Sequence, residues 1–289
     1  MSTSSDLIAT CWTSAGNVAP LARPDERSPF PIAERIAAVA DAGWAGIGIA
    51  QDDLRHIRDT VGFGTVRQQI ETAGLKYTEV EILTDWWETG PKRERSDEVR
   101  HLLFEAATAL DARQIKVGTA FDRPLDSIEP LVAPLAELAT EAGELGIRIA
   151  LEPMPFSMVS NVPMGAELVR TVDLPNCGLF VDSWHVFRAG TALDELRDAL
   201  TADIVFGVEL NDADEHVVGT LFEDTINNRR LCGQGCFDLP GFVDTMRRIG
   251  FDGPWGVEII SERHRSLELA EALTAAFTTA REVVTSAPR

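Results

Sequence analysis

Short apolar runs alternate with longer amphipathic stretches along the whole chain. Leu7 to Trp12, Gly46 to Ala50, Leu75 to Leu83, Gln114 to Gly118, Arg148 to Glu152, Gly178 to Asp182, Ile204 to Glu209 and Trp255 to Ile260 have strand length. Their apolar character is mostly continuous rather than alternating, which predicts a parallel sheet buried on both faces. Between them the apolar positions recur at helical spacing. Ile32, Ile36, Val39 and Ala40 follow Pro31, acceptable in a first turn, and Gly43 can end that helix. Val99, Leu102, Leu103, Ala106 and Leu110 form a second stripe; Leu131, Leu135, Leu138 and Ala142 form a third, in which Pro134 predicts a kink.

Eight strand-and-helix units predict an α/β fold, a (β/α)8 TIM barrel, as one domain over residues 1–289. The length suits a barrel of roughly 250 residues. A doubly wound open sheet competes with it, but the first strand runs into IATCWTSAGN, whose single glycine makes no phosphate-binding turn. The longest irregular stretch is Asn211 to Leu239, and loops of that length are commonly functional.

Composition narrows the class. An apolar share of 45% and a charged share of 25% permit a large core. The net charge of −20 repels phosphate backbones, so no nucleic-acid partner is expected. No apolar run approaches the ~20 residues that span a bilayer, and MSTSSDLIATCW lacks the features of a targeting segment. A soluble cytoplasmic protein with no membrane partner is expected. Cys11, Cys177, Cys232 and Cys236 do not read as a disulfide framework, and Cys232 and Cys236 lack the second Cys or His pair of a structural zinc site.

The chemistry is expected where strands end. Glu152, Asp182, Glu209 and Glu258 each close an apolar run, with separations of 30, 27 and 49 residues (182−152, 209−182, 258−209) that suit successive strand and helix units. Barrel enzymes carry their sites at the C-terminal strand ends. Four carboxylates converging there need a cation, and oxygen-only ligands favour a hard divalent ion, Mn2+ or Mg2+, with Co2+ or Zn2+ as alternatives. Taken singly, each acid also reads as a helix cap or the partner of a surface lysine. Trp12, Trp86 and Trp87 sit at predicted strand ends, where they can wall a sugar ring or simply pack in the core.

LEPMPFS, VDSWHVFRAG, VELNDA, NRRLCGQGCFDL and GVEIIS, in this order, with EILTDWW on the third strand, resemble the sugar isomerase/epimerase superfamily with the xylose isomerase-like barrel. The resemblance covers essentially the whole chain. It implies Glu152, Asp182, Glu209 and Glu258 as metal ligands, with Glu152 and Glu258 also moving protons, although relatives usually carry His or Gln at the position of Glu209. It places His185, in D-x-x-H after Asp182, and Arg229 against the substrate, and leaves Arg188 between substrate contact and helix cap. Cys232 stands where proline is usual, Gln234 where glutamate is common, and Met158 where epimerising relatives often have glutamate.

The implied reaction is an isomerisation or epimerisation of an unphosphorylated sugar, keto-sugar or cyclitol through an enediolate. Dehydration of an inosose or a dehydroshikimate-like acid is the alternative, and a non-catalytic ligand-binding barrel is the second. The endonuclease IV branch of the superfamily needs a histidine-rich zinc cluster, which five scattered histidines do not supply. The partner is a small carbohydrate or cyclitol, and a homo-oligomer is left open.

Overall fold

Strand formation follows the apolar runs, trimmed at their ends. A computed structural model describes residues 5–121 and 123–287. The strands are β1 (Leu7–Ala9), β2 (Gly46–Ala50), β3 (Tyr77–Leu83), β4 (Gln114–Val117), β5 (Arg148–Leu151), β6 (Cys177–Asp182), β7 (Val205–Leu210) and β8 (Trp255–Val257). They close in sequence order into a barrel; every neighbouring pair is parallel, and β8 pairs with β1. This is the predicted (β/α)8 barrel.

Side chains alternate in and out along each strand, so residues two apart share the interior. That period brings Glu79 and Glu81 of β3, Gln114 and Lys116 of β4, and Phe180 and Asp182 of β6 to one lumen. Contacts across the barrel bear this out: Lys116 Nζ stands 4.5 Å from the Phe180 ring centre, and Gln114 Nε2 donates to Phe206 O at 3.2 Å. Gly207 provides the room that the Phe180 ring fills. Ala150, Phe180 and Phe206 form a small apolar plug inside the barrel, while the larger core lies between strands and helices.

Three expectations need correction. The first strand ends at Ala9, because Thr10 turns to place both its backbone N–H and its hydroxyl on Val257 O; Cys11–Ser14 is a helical turn, and Trp12 rides on it. The helix Glu129–Glu144 runs unbroken through Pro134. Leu131, Leu135 and Leu138 are buried on either side, and their packing outweighs the ~3 kcal/mol that an interior proline costs. The stretch after Asn211 holds a helix, Leu221–Asn227, started by a capping box of Thr220 and Glu223. No helix among the described residues is long and apolar enough to cross a membrane.

Candidate functional site

Asp182 is the last residue of β6 and also caps the helix Ser183–Arg188, accepting from Trp184 N at 2.6 Å and His185 N at 3.2 Å. Glu209 lies beside it in register on β7. Glu152 and Glu258 follow β5 and β8 directly, fixed by backbone bonds from their N–H groups to Val117 O (2.9 Å) and Leu210 O (3.1 Å). All four side chains are buried, and one ligand atom from each lies within 4.8 Å of the others. The strand-end acids therefore gather at the barrel mouth as expected. Glu152, Asp182 and His185 form a second such group.

Two charged residues of this centre were not among the expected ones. Lys116 on β4 points into the carboxylates, 2.7 Å from Glu209 Oε1, 2.8 Å from Glu81 Oε2, 3.6 Å from Glu258 Oε1 and 3.8 Å from Glu152 Oε1. Glu81 on β3 is the fifth buried carboxylate. A lysine or glutamate inside an apolar run is the signal that could have found them: QIKVG and YTEVEIL place charges at alternate positions that a barrel directs inward.

Arg229 is the buried member of the Arg229–Arg230 pair. Its NH1 stands 2.8 Å from Asp182 Oδ2 and 3.0 Å from Glu258 Oε2, and its other nitrogens donate to Thr225 Oγ1. Arg230 is half-buried and binds Asp214. Arg188 pairs with Asp224 at 2.9 Å and donates to the carbonyls of Asp214 and Glu215, so it holds a loop.

The electrostatics are unbalanced. Five buried carboxylates face the two cations Lys116 and Arg229. Burial pushes Glu152 up to about 8, only partly opposed by Lys116. Asp182, despite its burial, is held at about 2 by the Arg229 guanidinium. Four carboxylates overcome burial to keep Lys116 protonated. Burial drives His185 down to about 3, so its imidazole is neutral. Glu81 Oε1, Glu152 Oε1, Glu209 Oε2 and His185 Nδ1 have no hydrogen-bond partner. Glu152 Oε1, buried, partnerless and facing the cavity, is an oxygen that a divalent cation would satisfy.

A cavity of about 270 Å³ opens above this centre. Its floor holds Glu81, Glu152, His185, Arg229 and Glu258. The rim is apolar: Phe121, Phe156 and Phe222 have ring centres 5.0, 5.3 and 5.8 Å apart, with Trp12 and Leu21 also lining it. Trp86 is corrected: it is buried, donates its indole N–H to Gly118 O at 2.8 Å, packs edge-on to Trp87, and does not line this cavity. After β7, the Asp212 carboxylate accepts the N–H groups of Ala213, Gly233, Gly235 and Phe237 at 2.9 to 3.0 Å and so fixes the segment 233–237. Cys232, just before that segment, is buried and Cys236 within it is exposed; both are free thiols.

Comparison with known proteins follows the same lines. A family model for the xylose isomerase-like TIM barrel matches residues 36–279. A 3-dehydroshikimate dehydratase of Pseudomonas putida is 27% identical over 242 residues, 81% of this chain and 36% of that protein. An inosose isomerase of Bacillus subtilis is 30% identical over 152 residues, 52% of this chain and 53% of that protein. The chain thus spans about a third to a half of these relatives. The solved structure of the IOLI protein with a bound zinc atom superposes with a TM-score of 0.82 at 21% identity, over 98% of this chain and 99% of that one.

Proposed function

The chain belongs to the xylose isomerase-like TIM barrel family, and from that membership we propose a divalent-metal-dependent isomerase or epimerase acting on an unphosphorylated keto-sugar or keto-cyclitol. The observation that carries this reading is the meeting of Glu152, Asp182 and Glu258, with Glu209 behind them, under one small cavity. These carboxylates would hold the ion. Hard oxygen donors suit Mn2+ or Mg2+, and the zinc in the IOLI structure keeps Zn2+ in view. When bound, such an ion supplies charge stabilisation to an enediolate.

The chain's own groups do the rest. Glu152 and Glu258 come from β5 and β8 and both reach the cavity floor, so one can take the α-proton of an α-hydroxyketone and either can return one. Return to the opposite face of the same carbon gives an epimer; return to the neighbouring carbon gives an isomer. Neutral His185 offers an imidazole to a substrate hydroxyl. The aromatic rim covers an apolar ring face and keeps water from the reacting carbon.

Neutral substrates are favoured over anionic ones. Arg229 is the one cationic side chain on the cavity lining among the described residues, and Asp182 and Glu258 already engage it; Glu26, Glu81, Glu152 and Glu258 add negative charge there. A substrate carboxylate would meet repulsion with no free partner. A second reading, dehydration of an inosose or a dehydroshikimate-like acid, is supported by the similarity to the Pseudomonas dehydratase across most of this chain.

The test is to strip the protein with a chelator, reload it with Mn2+, Mg2+, Co2+ or Zn2+, and incubate it with ketoses and inososes in D2O. Deuterium at the α-carbon without loss of water is expected, abolished by Glu152→Gln. Growth of a conjugated enone absorbance moves the assignment to the dehydratase. Protein that binds no metal and exchanges no proton is a ligand-binding barrel.

A further inference from the structure

Lys116 is placed among the acids, not beside them, and its contacts are unequal. The distances of 2.7 Å to Glu209 Oε1 and 2.8 Å to Glu81 Oε2 are those of charge-assisted hydrogen bonds. The distances of 3.6 Å to Glu258 and 3.8 Å to Glu152 are too long for hydrogen bonds. Glu209 has no solvent exposure, only its Oε1 is engaged, and neither it nor Lys116 lines the cavity, whereas Glu81, Glu152 and Glu258 do. The lysine therefore holds Glu81, at the cavity floor, and Glu209, shut off from it, by hydrogen bonds, and leaves Glu152 and Glu258, which face the substrate space, beyond hydrogen-bond reach. Asp182 is tied instead to Arg229 and Asn211.

A buried carboxylate needs a compensating charge, and for Glu209 that charge is supplied covalently by the chain. Each further carboxylate around a divalent ion weakens its pull on a substrate oxygen. An ammonium that neutralises one acid limits that loss. We infer that Lys116 and Glu209 form an internal neutral pair that withdraws Glu209 from the ligand set and leaves the divalent ion to Glu152, Asp182 and Glu258. This rests on the metal-dependent reading above. It makes Lys116 a positioning residue, acting on the ion through Glu209.

Bound Co2+ reports its ligands through its visible absorption, which does not depend on turnover. The d–d bands of the wild-type protein are expected to persist in Glu209→Gln and in the isoelectric Glu209→Gln/Lys116→Met double variant, and to change in Glu152→Gln. Affinity follows the charge: Glu209→Gln alone leaves the ammonium less screened and weakens Co2+ binding about tenfold, and the double variant recovers that loss. If Glu209→Gln alters the bands as Glu152→Gln does, Glu209 is a ligand and the inference fails while the metal reading stands. If the wild-type protein takes up no Co2+, the metal reading fails and takes the inference with it. Should the single variant not fold, the double variant, neutral for neutral, decides by its bands alone.

Discussion

A single buried guanidinium, Arg229, joins two of the acids proposed to hold the ion, and its removal would leave Asp182 without a cationic partner and Glu258 with Lys116 alone, at 3.6 Å. Arg229→Leu is expected to cost about 3–5 kcal/mol in chemical denaturation. Lower in the lumen, Glu79 is half-buried as a residue, yet its Oε2 is sealed from water without a partner, and burial raises its pKa to about 7. The folded state thus binds this proton more tightly than the unfolded chain does. Stability is lost as pH rises from the unfolded value of 4.5 through about 7. Glu79→Gln should therefore raise the melting temperature at pH 8 by more than at pH 5; an equal shift at both would refute the sign. Of the site itself, Glu152, Asp182, Glu209 and Glu258 were legible because each closes an apolar run. Lys116 and Glu81 were not, because a charge within a strand declares its inward direction only once the barrel closes and opposite strands meet. Trp86 looked like a wall residue from its place at a strand end, but its N–H found a carbonyl instead.

At the scale of elements, the eight strands could be read from apolar continuity, and the errors lie at their ends and in the loops. The turn after β1 depends on Val257 O, more than two hundred residues away, which no local pattern contains. The helix through Pro134 survives because tertiary packing overrides propensity. Strand β2 lies so close to that turn that a Cβ added at Gly48 would come 2.5 Å from Cys11 N and 2.9 Å from Thr10 C. Both are backbone atoms of the turn that carries Trp12, so relief requires the turn to shift. Gly48→Ala is expected to destabilise by about 1–3 kcal/mol, measured by urea titration, and to disturb the cavity rim at Trp12. A neutral result would mean that the turn is softer than its bonds to Val257 imply.

For the molecule as a whole, excess negative charge is concentrated where the strands end, on top of a net −20 spread over the chain. Folding pays for bringing those acids together, and a cation that binds only the folded state offsets the cost. Saturating Mn2+ at about 100 times its dissociation constant should add about 2.7 kcal/mol of stability, seen as a rise in melting temperature that a chelator reverses. An unchanged melting temperature would count against the metal centre. The Asp212 carboxylate has a separate bearing on how such a protein can change over generations. Three main-chain amides of residues 233–237, with that of Ala213, are anchored on one side chain, and a Cβ at Gly235 would come 2.2 Å from Ala213 O, so this segment is a poor place for variation. The phenylalanines at 121, 156 and 222 carry no comparable duty. New substrate preferences should arise by exchanging those rings, and a combinatorial library confined to them should keep its expression yield while one over the anchored segment should not.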